Sequence, residues 1–387
     1  MHPNLRKASV NWIDGMKVNK DHFLQTEDWV IDHLKDIAAL RLTDNEYGLL
    51  PASGDVDTSV NFQIDIEQTQ FVKVTLLSCR AITRGGIRIE ITPYISKLYS
   101  LERNQFEVKY DLKNASNQQY AIVITVDPYH RIPVGDPNPE EHPLRHPFSI
   151  PKYSVDIIPS KEVNSEEFST YHLTIGKFRV VGGEVQVEDY IPPCTSMSSH
   201  PTLVEYYREF ETLLNEIRQS LTQFIKKNRA LDDRSINHNV LALSESMLMT
   251  MAIYQDEFQL EVPTKSPIHI FKFFLRYIRL ISTELNCMPE DDRLNVYNTF
   301  NRSFAAGTFE NMIHNILNLK YSHRQIYQVI AMLHQEISTF NEILSKLPYS
   351  STTAYERPRE EPEPQAEQPA PKKMGSTVKI FRGGREL

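Results

Sequence analysis

Three histidines fall in one stretch, HRIPVGDPNPEEHPLRHP, where His130, His142 and His146 stand among Asp136, Glu140 and Glu141. Imidazoles and carboxylates at this density are the ligand types of zinc. His142 and His146 even have the separation of a helical metal pair. Prolines follow both and punctuate the rest of the segment, so no helix can present the two rings on one face. The stretch reads instead as a solvated Pro-rich loop. His22 beside Asp21 has the composition of a catalytic dyad, but adjacent side chains on a helix point in different directions. No Walker loop, GxGxxG, HExxH or GxSxG motif occurs. Gly85-Gly86 and Gly182-Gly183 lie between β-rich runs and open no helix, which removes them as phosphate sites. Cys79, Cys194 and Cys287 are odd in number and lack CxxC spacing, so neither a disulfide framework nor a zinc knuckle is indicated. The chemistry points away from an enzyme, and no metal or cofactor is expected.

Composition narrows the remaining classes. The 387 residues suffice for two or three domains with their own cores. Asp and Glu number 50 against 42 Lys and Arg, a net charge of −8 without a basic stripe, which argues against nucleic acid as a partner. The opening MHPNLRKASV has no apolar h-region, and no run of about 18 apolar residues occurs. The expectation is a soluble cytoplasmic protein without direct membrane insertion.

The elements that would position any site change character near residue 195. Residues 46–190 read mainly as strands. FVKVTLLSCRAITRGGIRIEITPYI is two β-rich runs about Gly85-Gly86, and YHLTIGKFRVVGGEVQVEDYI repeats the device about Gly182-Gly183. A two-residue Gly-Gly loop suits the turns that match strand twist, so both are predicted hairpins. YAIVITVDPY and YSVDIIP supply two more strands, separated by a long Pro-rich loop over 127–151, and an antiparallel sandwich follows. Ahead of it, Asp21 to Leu42 spaces Phe23, Val30, Leu34, Ile37 and Leu40 as the apolar face of a helix packed on the sheets.

After residue 200 the period becomes about three and a half. Leu203, Tyr207, Phe210, Leu214, Ile217, Leu221 and Phe224 alternate steps of four and three, the spacing of a coiled-coil seam. Ile326, Ile330, Leu333, Ile337, Phe340, Leu344 and Leu347 do the same. Helices over 236–260, 267–288 and 309–319 fit between, which implies a bundle. The stripes serve either the core of a monomeric bundle or contacts between copies, since Tyr206, Leu213, Ile225 and Val329 widen the faces. Residues 349–387 are rich in Pro and Glu and predict a disordered or extended linker. At its end Val378, Ile380 and Phe381, flanked by Lys379, Arg382 and Arg385, form either a frayed terminus or a docking peptide that adds a strand to a partner's sheet. The reading is an α+β chain: a β-sandwich shell with an N-terminal helix over 1–195, a helical bundle neck over 196–348 that is expected to trimerise, and a disordered tail over 349–387 with a short docking segment at its end.

Trp12, Gly15, Met16, His22, Phe23 and Gln25 in NWIDGMKVNKDHFLQ resemble the opening signature of the TssK family, the trimeric baseplate subunit of type VI secretion systems. Tyr47-Gly48-Leu49 resembles the family's aromatic-Gly-Leu step after the first helix. DYIPPCTSMSSHPTLVEYY resembles the Ile-Pro-Pro hinge where its β shell meets its helical neck. Lys20-Asp21 replaces the common Pro-Gln before His-Phe. Members of the usual type carry a C-terminal head that grips the membrane complex, whereas only a short tail follows Pro348 here; in this the chain resembles the divergent branch of these systems. The resemblance implies a homotrimeric adaptor that binds TssF/TssG-like wedge proteins through the shell and an envelope-associated component through its C-terminal region. It is then located at the inner face of the envelope when assembled. A phage-like receptor-binding or tail-fibre adaptor is the alternative, and an enzyme using the 130–146 histidines is the third reading. Trp12, Met16 and Phe23 are expected to pin the N-terminal segment and first helix onto the sandwich, with Gly15 allowing a turn, or else to touch wedge subunits directly.

Overall fold

A computed structural model describes residues 7–52, 58–67, 71–101, 106–111, 118–164, 167–182, 184–230 and 238–347. The chain divides into a unit Met1–Tyr349 and a second, Ser350–Leu387, which lies wholly outside the described residues together with Val378, Ile380 and Phe381. The first unit is α+β, with sheets preceding a helical half.

One sheet is built on β3 (Phe71–Ile82), which pairs antiparallel with all four of its companions. β2 (Val60–Glu67) and β1 (Gly48–Leu49) line one side of it; β5 (Glu107–Asp111) and β4 (Arg88–Ile91) line the other. Val72, Val74 and Leu76 point inward, but so do Cys79 and Ala81, a change of parity. The register shifts where Asn61 faces Ser78 and Phe62 faces Leu76, so Leu77 is the inserted residue that resets the alternation. The second sheet has the order β7-β6-β8-β9, from β6 (Gln119–Val134), β7 (Phe148–Pro159), β8 (His172–Val181) and β9 (Glu184–Val187). Its apolar residues join those of the first in one core. Phe62 of β2 rests on Gly176 of β8, where a Cβ would come within 2.6 Å of the ring, and Tyr120 stacks on Phe178 at 5.4 Å.

Both predicted hairpins form: β3–β4 closes around Gly85-Gly86 with the Thr83 N–H donating to Ile87 O, and Val181 faces Glu184 across β8–β9, with Gly183 outside the described residues. Two strand boundaries differ from expectation. β6 runs on to Val134 and β7 starts at Phe148, so the loop is 135–147 and not 127–151. Pro128 is accommodated because it falls in an irregularity between Asp127 and Arg131, where the Asp127 carboxylate accepts from the Tyr129 and His130 amides. The run after Gly86 stops at Ile91. Thr92 then caps a short helix, α2 (Pro93–Leu98), with proline at its first position.

The helical half comprises α3 (Pro201–Ala230), α4 (His238–Asp256) extended by a π-turn over Glu257–Glu261, α5 (Ile268–Cys287), α6 (Glu290–Phe300), α7 (Thr308–Asn318) and α8 (Ile326–Ser345). α6 was not expected from periodicity. Its own signal is Pro289 followed by Glu290-Asp291-Asp292, acidic side chains at the positive end of a helix. α3 packs against α4 and α8. Leu203, Phe210, Leu214, Ile217, Leu221 and Phe224 are buried there, as are Ile326, Ile330, Leu333, Ile337 and Phe340; Tyr207 is half-buried on Phe258. Both stripes are thus covered within one chain, the bundle-core alternative of the two that their spacing allows.

Phe210 is fully buried between Phe274 and His334. Phe210→Ala should therefore lower unfolding stability by about 3–5 kcal/mol, read as a shift of the urea midpoint. An unchanged midpoint would remove Phe210 from the core.

Candidate functional site

Where sheets and bundle meet, four stretches distant in sequence come together. Leu49 forms a parallel bridge with Cys194: its N–H donates to Pro193 O at 2.7 Å, and the Thr195 N–H donates to Leu49 O at 2.9 Å. Ser196 Oγ donates to Pro263 O, Met197 N–H to Lys265 O, and Ser266 Oγ to Asn45 O. Gly48 adopts φ +113°, and a Cβ there would sit 1.9 Å from Pro193 O, so only glycine allows the two backbones this close. The Tyr-Gly-Leu step and the Ile-Pro-Pro segment singled out in sequence are therefore direct partners.

His323 closes the joint. It is buried, with Nε2 2.9 Å from Tyr47 O and Nδ1 2.8 Å from Tyr321 Oη. A carbonyl only accepts, so Nε2 carries the proton and Nδ1 accepts from the tyrosine. Burial holds its pKa down to about 4 against the opposing pull of the Tyr47 carbonyl and Glu46; burial alone holds His200, just before α3, to about 4. Burial also pushes the Cys79 thiol up to about 12 and raises that of Cys194, so neither is an activated nucleophile.

α1 (Lys20–Ala39) lies on the shell with its polarity inverted. Its buried residues are Asp28, Asp32 and Lys35. The Arg131 guanidinium donates to Asp28 at 2.7 Å and lies 3.2 Å from Glu27. Tyr129 Oη donates to Asp32. Lys35 Nζ donates to Tyr171 Oη at 3.0 Å and Tyr129 Oη at 3.2 Å, and its charge faces the Asp32 carboxylate at 3.8 Å. Phe23, Val30, Leu34, Ile37 and Leu40, expected to face the sheets, are exposed. The correction has a physical cause: the sheet surface under α1 offers Arg131 and the tyrosine hydroxyls, which must be paired when covered. Sequence reasoning missed this network, although Asp28, Asp32 and Lys35 at steps of four and three were a legible polar stripe.

The N-terminal signature residues stay outside the core as well. Trp12 and Phe23 are both at least half exposed and lean on one another at 6.4 Å, with His22 6.0 Å from Trp12; Met16 is half-buried. They are not pins into the sandwich. Gly15, at φ +79°, makes the turn in which the Met16 N–H meets Ile13 O. His22 caps α1: its Nδ1 accepts from the Asn19 N–H while Asn19 Oδ1 accepts from its own, so hydrogen bonding to the backbone, not Asp21, sets its ring. His130, His142 and His146 do not converge, and His146 Nδ1 bonds Gly135 O. Among the described residues no three His, Cys, Asp or Glu side chains form a metal-holding group.

Sandwich, joint and bundle define an α+β protein whose most elaborate polar chemistry fastens its own parts. A family model described as "Bacterial Type VI secretion, VC_A0110, EvfL, ImpJ, VasE" matches residues 146–340, half of the chain. The chain belongs to that type VI secretion family. Among solved structures, "Crystal structure of TssK" superposes with a TM-score of 0.54 at 13% identity, covering 88% of this chain and 70% of that one. "The baseplate complex from the type VI secretion system" gives 0.53 at 15%, covering 89% and 71%. At these identities the likeness is one of fold. No curated protein sequence matches.

Asp32→Ala takes the buried counter-charge from Lys35 and the acceptor from Tyr129 and should cost about 3–5 kcal/mol, as breaking a buried pair does; a urea titration reads it, and a loss under about 1 kcal/mol would mean the network contributes little. With folded pKa values near 4 and an ordinary value of 6.5 when unfolded, His200 and His323 contribute stability in full above pH 6.5 that is lost progressively towards pH 4. The unfolding free energy of His323→Gln should depend less steeply on pH across that window than the wild type's. Parallel curves for the two proteins would contradict the assignment.

Proposed function

We propose that this chain is a structural adaptor of a type VI secretion baseplate, without enzymatic activity. It assembles as a homotrimer, binds TssF/TssG-like wedge proteins through the shell, and reaches an envelope-associated component through its C-terminal region. The observation that carries the reading is the span of the family match, which runs from β7 through the Pro193–Met197 stretch of the joint into α8 and so joins the end of the shell to the bundle. A sandwich fixed to a bundle through backbone hydrogen bonds supplies the rigid body that an adaptor requires. Among the described residues no helix is long and apolar enough to cross a membrane, in keeping with work on the cytoplasmic side.

The tail proposal rests on composition: a Pro-rich segment extends by about 3 Å per residue, and three copies would bind a repeated partner with avidity. The test separates the two ends. A chain ending at residue 348 should run at three times the 44.9 kDa of one chain, corrected for the missing tail, and should still capture wedge proteins. Substitution of Val378, Ile380 and Phe381 by Ser in the full chain should abolish secretion with wedge capture intact. A monomer at micromolar concentration defeats the trimer, loss of wedge capture on removing the tail moves that contact off the shell, and undiminished secretion leaves the tail without its role.

A further inference from the structure

On the outer face of the second sheet, Ala121 and Val123 of β6 meet Val163 and Phe168 in a small apolar cluster separate from the main core. Beside that cluster is a cavity of about 30 Å³ whose polar wall is Ser160, His172, Thr174, Lys177, Tyr190 and Arg324. Among the described residues that line it there is no carboxylate. Two of the wall residues carry a buried polar atom with no partner, Ser160 Oγ and His172 Nδ1. Buried polar atoms are nearly always paired, so two orphans lining one cavity point to what the cavity holds.

Lys177 makes the same demand with a full charge. Its Nζ stands 4.6 Å from the centre of the Tyr190 ring and meets no acceptor within hydrogen-bonding or ion-pairing distance among the described residues. Glu188, the carboxylate whose charge acts on it, is bonded to Gln119 and, at 3.2 Å, to Arg179. Burial therefore pulls the Lys177 amine below its ordinary range, with Glu188 opposing; burial lowers His172 as well, against the Phe168 backbone and Asp156. Arg324 brings a second positive charge to the wall while one of its N–H groups donates to Val163 O at 3.3 Å. A half-buried ammonium without a counter-charge weakens the fold unless a negative charge enters beside it.

We propose that this cavity binds a small tetrahedral oxyanion of the phosphate class, with Lys177 as its charged anchor. Four polar groups surround the space from three stretches of chain: Ser160 after β7, His172 and Lys177 on β8, and Arg324 before α8. Four groups suit four oxygens better than the two of a carboxylate. Hydrogen phosphate also carries both O⁻ and OH, so it can pair with either tautomer of His172, whereas a carboxylate only accepts. The volume is about two to three times the roughly 10–15 Å³ that a single water needs, which admits one oxyanion and excludes a nucleotide. Tyr47 and Pro193 of the joint line the same cavity, so an anion held there fastens shell to bundle.

The experiment uses the full chain at constant ionic strength. Inorganic phosphate is titrated by calorimetry, with acetate and chloride as separate arms, and thermal unfolding is followed across the same series. Phosphate should bind saturably at one site per chain and raise the unfolding midpoint with the logarithm of its concentration, as a ligand of the folded state alone does. Chloride should leave the midpoint unchanged, and acetate should bind more weakly than phosphate. Lys177→Met keeps the stem and removes the charge, and should weaken phosphate binding about tenfold or more, the worth of a hydrogen bond to a charged group; Lys177→Arg should retain it. Ser160→Ala, a smaller change at the cavity wall, should weaken it several-fold in a protein of native circular dichroism. Absence of saturable phosphate binding overturns the proposal. Binding undiminished in whichever of Lys177→Met and Ser160→Ala folds places the anion elsewhere and overturns it too, and acetate binding as tight as phosphate's defeats the tetrahedral class.

Discussion

The arrangement of both halves depends on one backbone contact, the bridge between Leu49 and Cys194 with its hydrogen bonds to Pro193 and Thr195. Backbone pairing has no slack: donor and acceptor must meet near 2.9 Å or the group is left buried and unsatisfied. Ser196, Ser266 and His323 add side-chain hydrogen bonds around the bridge, to the Pro263, Asn45 and Tyr47 carbonyls. Since the buried apolar residues run without interruption from the sheets into the helices, the joint lies inside the core and not in a linker across which domains could swing. Gly48 sets the tolerance, because any side chain at that position would collide with Pro193.

α1 shows a different way to attach an element. Its docking uses charge and hydroxyl partners, whose net gain is modest because burial removes them from water, and whose loss is costly. What such contacts provide is direction: a guanidinium, a carboxylate and an ammonium each accept few geometries, so the rotation of the helix about its axis is fixed. Apolar packing alone would have chosen the opposite rotation.

That reversal marks the limit of what the sequence made legible. Period two between Val72 and Leu76 and the heptad steps from Leu203 to Phe224 identified strands and helices because each face there meets an apolar neighbour. The same logic failed on α1, where periodicity correctly found two faces but cannot say which is covered; that depends on Arg131, Tyr129 and Tyr171, roughly a hundred or more positions away. Leu77 broke the strand alternation through a bulge that no local signal announced, and α6 lacked a clean apolar stripe although its acidic first turn was present. The joint was half visible. Tyr47-Gly48-Leu49 and Ile191-Pro192-Pro193 stood out as motifs, yet only the fold shows them to be partners, and His323 carried no mark that set it apart from the exposed histidines of the 135–147 loop.

The joint also has a consequence in time. The hydrogen bond between His323 and Tyr47 closes over 276 positions of sequence. On a ribosome elongating at about 5–20 residues per second, its two ends emerge roughly 14–55 s apart. Through that interval the sheets can form while the Tyr47 carbonyl and the underside of β1 wait for a histidine not yet made. A nascent shell therefore lacks, until residue 323 has been made, the histidine that closes its joint with the bundle.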